Sequence, residues 1–275
     1  MRHRLFDVVA AAALVLTLTF LLLPLLAVFL RVSPLTLVRQ LGSEVVVDAL
    51  VVSLKTSAIA HVFILLVGTP AAYVLALKRF RGQRLAIALV ELPLVLPPAV
   101  AGIALLAAFG RRGLLGDSLS VLGVSIPYTQ AAVVMAVAFV ASPFYVRQAI
   151  AAFEAVDPAL LEASRTLGAR PLATFRRVAL PLAAGGLGAG SALAWARGLG
   201  EFGATIMFAG SLQGVTQTLP LAIYAQLARD FDVALAVGGF LVLVSAAILL
   251  TVKLLPSWRR FGSIWPIRSA PSPST

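Results

Sequence analysis

Glu162-Ala163-Ser164-Arg165-Thr166-Leu167-Gly168-Ala169-Arg170-Pro171 runs on to Arg176-Arg177-Val178-Ala179-Leu180-Pro181 as a polar, basic stretch. It stands within the segment from Phe153 to Leu180, the one long polar insertion in a chain that is apolar for most of its length. Local signals read it as a helical hairpin. Asp157 before Pro158 is a good helix start, a carboxylate cap followed by proline at the first helical position. Leu160, Leu161, Ser164 and Leu167 follow at helical spacing and predict one apolar stripe. Gly168 sits where a C-terminal glycine ends a helix. Pro171 can open a second helix through Arg176 and Arg177, and Pro181 marks entry into the next apolar run. A glycine turn lets two short helices fold back, so the pair projects as a knob. The other reading is an amphipathic connector lying flat on a membrane.

The surroundings are those of a membrane protein. The 275 residues are 60% hydrophobic and 12% charged, with a mean hydropathy of +1.01, whereas soluble domains carry about 25% charged residues. Residues 8–30 hold no formal charge and exceed the roughly 20 residues that span a hydrocarbon core. The run is longer than the apolar part of a secretory signal and lacks a clear cleavage pattern after it, so it reads as a retained helix. Further spans are expected at 49–77, 85–109, 127–146, 180–208 and 233–255, giving six. In the third, Glu91-Leu92-Pro93-Leu94-Val95-Leu96-Pro97-Pro98 must kink its helix, because each proline deletes a donor and clashes with the previous turn. Glu91 is placed to cap donors freed by that kink.

A net charge of +11 could suggest nucleic acid, but its distribution argues otherwise. Arg31, Arg39, Arg111, Arg112 and Arg229 fall on one side of a six-span arrangement, and Lys55 and Arg197 within spans. All other basic residues, Arg2, Lys78, Arg84, Arg147 and Arg177 among them, fall on the opposite side. That asymmetry follows the positive-inside rule with both termini cytoplasmic, and adds attraction to anionic lipid. Residues 31–47 and 111–126 are then short extracytoplasmic segments, the first with Ser33 before Pro34 as a helix start. Residues 269–275 are a Pro/Ser tail expected to be disordered. There is no cysteine, hence no disulfide or thiolate site.

The opening stretch resembles the EAA loop of ABC-importer permeases: Glu-Ala-Ala, three residues, Gly, nine residues, Ile, one residue, Leu-Pro. Here Ser164 replaces the second Ala and Val178 replaces Ile, with the spacing intact. A second resemblance lies in Arg197-Gly198-Leu199-Gly200-Glu201-Phe202-Gly203-Ala204-Thr205-Ile206-Met207-Phe208-Ala209-Gly210 and Thr216-Gln217-Thr218-Leu219-Pro220-Leu221-Ala222-Ile223-Tyr224. These look like the molybdate/tungstate importer permeases. Sulfate permeases share the Leu-Gly-Glu-Phe-Gly-Ala part but usually diverge after it.

The resemblance implies an all-α, polytopic protein of about six transmembrane helices with the type I ABC importer permease fold. Residues 1–260 would form the permease domain, with 153–180 as its cytoplasmic coupling loop, and 261–275 a cytoplasmic tail, the whole being a multi-pass protein of the cell's inner membrane. It implies a homodimer, two copies of an ABC ATPase, an extracytoplasmic oxyanion-binding protein and membrane lipid as partners, with no nucleic acid. Asp157, Leu161, Glu162, Ala163, Ser164, Leu167, Gly168, Ala169 and Pro171 are the implied ATPase-coupling residues. The resemblance also implies that no residue is catalytic and that the chain binds no metal or cofactor of its own; ATP and Mg would be used by the partner ATPase. In agreement, none of Lys55, Lys78 and Lys253 follows a glycine, so no phosphate-binding P-loop occurs.

Arg197, Glu201 and Thr205 are the candidates for the substrate path. Arg197 and Glu201 are four apart on an expected helix and can pair; the competing reading is a structural ion pair, since a carboxylate in the path would repel an oxyanion. Lys55 and His61 read first as packing or interfacial residues. Gly186 and Gly190 form a GxxxG frame that lets helix backbones approach. A polytopic membrane enzyme is disfavoured, because only His3 and His61 are available and no H-E-x-x-H or G-x-S-x-G occurs. The alternatives are a sulfate/thiosulfate ABC permease within the same family and, from another class, a proton-coupled carrier using Glu91 and Glu201.

Overall fold

Long uncharged runs can satisfy their backbone polar groups in lipid only as helices, and the described part of the chain is helical throughout its regular structure. The computed structural model describes residues 2–254; the tail assigned to 261–275 and the C-terminal boundary of the permease domain lie outside the described residues. Helix α1 covers Arg2–Arg31, α2 Pro34–Leu41, α3 Glu44–Leu77, α4 Gln83–Val95, α5 Pro98–Phe109, α6 Gly116–Val121 and α7 Gln130–Glu154. Then come α8 Pro158–Thr166, α9 Pro171–Thr174, a π-helical turn Phe175–Ala179, α10 Leu180–Leu199, α11 Gly203–Ala209, α12 Leu219–Leu227 and α13 Phe231–Leu254. Five stretches are long and apolar enough to cross a membrane, and the bent pair α4–α5 makes a sixth.

Helix α7 is the axis of the molecule, with α3 and α10 packed along it. Small residues permit the close approach. A side chain at Gly186 would stand 2.5 Å from Ala152 Cβ, and one at Gly190 would stand 2.9 Å from Gln148 Cβ. The GxxxG frame therefore serves packing of α10 on α7 within one chain. Gly68 of α3 is similarly filled by Tyr145, whose hydroxyl lies 2.6 Å from Thr69 Oγ1. A second cluster joins Val46 and Ala49 of α3 to Leu219, Ala222 and Val237. Helix α1 lies outside this core, largely exposed, and touches α13 near Gly239.

Two expected spans are broken. Residues 85–109 do not form one kinked helix: the chain bends by 115° between α4 and α5. Leu96 is extended (φ −73°, ψ 134°), as the residue before a proline prefers, and Pro97 is extended as well. Residues 180–208 are interrupted at Gly200–Phe202 between α10 and α11. The two breaks touch, since a Cβ at Gly203 would meet Pro98 Cβ at 2.7 Å. Some boundaries lie further out than expected. Helix α3 begins at Glu44 rather than 49, and α7 runs to Glu154 rather than 146. Ser33 caps α2 as expected, accepting from the Thr36 N–H at 3.1 Å.

Candidate functional site

The polar hairpin forms as its caps dictate. Asp157 Oδ1 accepts from the Ala159 N–H at 2.9 Å and Pro158 starts α8. Gly168 adopts φ +81°, and the returning Ala169 N–H reaches the Ser164 carbonyl at 3.1 Å. Pro171 opens α9. The expected single apolar stripe is split. Leu161 is buried in the core, whereas Leu160 and Leu167 are exposed. At about 100° per residue, Leu160 and Leu167 share a face, and Leu161 lies roughly a quarter-turn away. Ser164 is half-buried, and its hydroxyl lies 3.0 Å from Thr174 Oγ1, tying α8 to α9. The residue that departs from the EAA pattern thus supplies a cross-hairpin hydrogen bond.

Helix α8 forms a ridge between two grooves. One, of about 830 Å³, includes Leu160, Ala163, Leu167, Ala169 and Leu182. The other, of about 780 Å³, is polar and includes Arg79, Arg84, Glu154, Glu162 and Arg165. The second arm of the hairpin does not end before the next span. It passes through the π-turn Phe175–Ala179 directly into α10, so Pro181 stands inside a continuous run of helix. In the wider turn the Leu180 N–H bonds Phe175 O, which accommodates the following proline's missing donor. Phe175 is keyed against Tyr73 at 4.8 Å and Phe153 at 6.3 Å between ring centroids. This aromatic contact between the hairpin base and the ends of α3 and α7 had no sequence signal, because its members are far apart in the chain.

The second candidate set lies at the α10–α11 break. Arg197 Nη1 is 2.7 Å from Glu201 Oε2, an ion pair rather than an aligned hydrogen bond, and the guanidinium lies 6.0 Å from the centre of the Phe144 ring. Glu201 is buried, and its Oε1 accepts from the Ala204 N–H at 2.8 Å. The carboxylate therefore also caps α11, a role not read from sequence. Thr205 is fully buried one residue further along α11, and its hydroxyl has no partner among the described residues. Lys55 is exposed on α3, while His61 Nε2 lies 2.8 Å from Ser191 Oγ and its ring stacks on Trp195. Glu91 does not cap the α4–α5 kink. It sits 3.6 Å from Arg147 Nε, because α4 packs against α7. Among the described residues no group of three His, Asp or Glu side chains could hold a metal.

Apolar crossings packed on one axial helix, two of them broken, with a helical hairpin at one end, define a membrane permease subunit. Residues 64–258 match the family described as binding-protein-dependent transport system inner membrane component. The molybdenum transport system permease protein ModB of Mycobacterium bovis is 46% identical over 233 residues, covering 85% of this chain and 88% of that protein. The sulfate transport system permease protein CysT of Salmonella typhimurium is 34% identical over 261 residues, 94% of each chain. Among solved structures, a bacterial ABC transporter importing the acidic polysaccharide alginate superposes with a TM-score of 0.72 at 18% identity, covering 94% of this chain and 96% of that one. The chain belongs to this family of inner-membrane permease components, and its fold is that of a type I ABC importer permease.

Proposed function

We propose that this chain translocates molybdate and tungstate, delivered by an extracytoplasmic binding protein and driven by a separate ABC ATPase. The observation that carries the substrate is the 46% identity to a molybdenum permease over 85% of the chain, against 34% to a sulfate permease. Two copies form one path at their interface, and two ATPase subunits take the α8 hairpins. Glu162, Ala163, Leu167, Gly168, Ala169 and Pro171 make or shape the docking surface. Asp157 caps its helix, while Leu161 and Ser164 anchor it. Exposed Leu160, Leu167 and Leu172 supply apolar area for a partner.

ATP-driven closure of the ATPases moves the two hairpins together and turns the path outward. The π-turn and the Tyr73–Phe153–Phe175 contacts carry that displacement into α10, α7 and α3. Hydrolysis then resets the path. The chain binds no cofactor; ATP and Mg belong to the ATPase. Arg197 and Glu201 hold the break beside the path, and Thr205 lies next to it. The dianion itself is passed on by hydroxyls, backbone dipoles and water, since tight pairing to a buried arginine would prevent its release. Both termini are cytoplasmic, in keeping with the basic residues clustered at the hairpin end.

The experiment is uptake into proteoliposomes holding the complete complex of permease, ATPase and binding protein. ATP-dependent accumulation of molybdate and tungstate in preference to sulfate is expected. Preference for sulfate would replace the substrate and keep the permease; uptake without the ATPase would indicate an ion-coupled carrier instead.

A further inference from the structure

The end of the molecule opposite the α8 hairpin carries a second basic feature. A cavity of about 730 Å³ opens beside the C-terminal end of α5 and includes Arg111, Arg112, Ser125, Tyr128 and Gly110. A smaller adjoining space of about 350 Å³ shares Gly110, Arg111 and Ser125. Cations after a helix often serve its unpaired terminal carbonyls, but here those carbonyls are already taken by backbone. The Leu106, Ala107 and Ala108 carbonyls accept from the N–H groups of Gly110, Leu114 and Leu115 at 2.8, 2.9 and 2.9 Å. Among the described residues, neither guanidinium takes part in an ion pair or hydrogen bond. Two charges are thus held at one cavity by a loop that does not use them.

Tyr128 adds an independent observation. It is the one non-glycine among the described residues with positive φ, at +63°, a conformation that an aromatic residue adopts at a cost and that marks functional sites. Its ring packs on Gly210, itself at φ +69°, where an added Cβ would meet the ring at 3.1 Å. The cavity wall is thereby joined to the end of α11, and so to the helix whose start Glu201 caps. Two arginines, a serine and a tyrosine lining one open space suit a small tetrahedral dianion, since a guanidinium fork matches two of its oxygens.

We propose that Arg111, Arg112, Ser125 and Tyr128 form an oxyanion-receiving vestibule at the outer mouth of the permease. The assignment rests on the reading of the chain as an oxyanion permease. The vestibule raises the local dianion concentration on the side where the binding protein releases its cargo. Because the arginines are exposed, the contact is weak and screened by salt, which allows onward passage.

The test uses the purified permease–ATPase complex in lipid nanodiscs without the binding protein, with tungstate as probe. In the wild-type protein tungstate is expected to slow modification of Arg111 and Arg112 by phenylglyoxal, read by peptide mass spectrometry, with protection fading as salt rises. Arg111→Gln/Arg112→Gln is expected to weaken tungstate binding by about tenfold, and Arg111→Lys/Arg112→Lys to retain part of it. Wild-type protection needs no variant, so misfolding cannot mask the answer. Absence of protection, or unchanged tungstate binding in the glutamine variant, overturns the vestibule. When the binding protein is then added, loss of its association in the glutamine variant with tungstate binding intact overturns it in favour of a protein contact. Failure of the complete wild-type complex with its binding protein, assayed separately in proteoliposomes, to import any oxyanion would sink the underlying oxyanion reading instead.

Discussion

At the residue scale, Glu201 is more constrained than a partner of Arg197 needs to be. One carboxylate oxygen faces Nη1 at 2.7 Å while the other accepts from the Ala204 N–H at 2.8 Å. Removing Arg197 leaves a buried charge with only its backbone donor, and losing one member of a buried pair costs about 3–5 kcal/mol. Arg197→Ala is therefore expected to lower thermal stability and complex yield. Arg197→Ala/Glu201→Gln should recover more of that loss than Arg197→Ala/Glu201→Ala, because glutamine keeps an acceptor for Ala204 without the charge. Thermal melting and ATPase co-purification of the three variants check this order. If the pair instead handles substrate, the glutamine double variant would assemble like wild type and fail in uptake. The i,i+4 spacing made the pairing legible; the capping role was hidden, because the same spacing suggested an unbroken helix through Thr205.

At the element scale, the hairpin was legible where its signals are local. Asp157-Pro158, Gly168 and Pro171 each act within a few residues of themselves, and all three behave as their chemistry dictates. What escaped were links across the turn or between helices: Ser164 to Thr174, and Phe175 to Tyr73 and Phe153. The π-turn escaped because Pro181 is ordinarily a helix start, and only a locally wider ladder lets it stand within one. Gly168 offers a clean test of the turn. Nothing lies within 4 Å of a Cβ built there, so a side chain meets open space and the only penalty is backbone strain at φ +81°. Gly168→Val is expected to cost about 1–2 kcal/mol, with the β-branch at the upper end. Because the strain falls on an exposed hairpin, the membrane core should fold as before, while ATPase capture and uptake fall together. Wild-type capture by Gly168→Val would remove the turn from the docking surface.

At the scale of the whole molecule, apolar runs fixed the number of crossings but not their continuity, since hydropathy counts residues and is blind to where a backbone turns. The α4–α5 bend and the α10–α11 break were both written in Pro and Gly, yet their meeting at Pro98 and Gly203 is a tertiary fact. Orientation is the remaining property that charge predicts and packing alone does not. The C-terminal end of α3, the start of α4, the end of α7 and the hairpin lie together and carry Lys78, Arg79, Arg81, Arg84, Arg165, Arg170, Arg176 and Arg177. Arg111 and Arg112 follow the opposite end of α5, with Asp117 nearby. Retaining the first group in the cytoplasm follows the positive-inside rule. The chain has no cysteine, so single cysteines at exposed Arg81, Arg170 and Asp117 report sidedness without background from this chain. Arg81→Cys and Arg170→Cys are expected to resist a membrane-impermeant maleimide in intact cells and to react after permeabilisation, while Asp117→Cys reacts in both. Labelling of Arg170→Cys in intact cells would put the hairpin on the outer face, where no ATPase could reach it, and would overturn the coupling role together with the orientation.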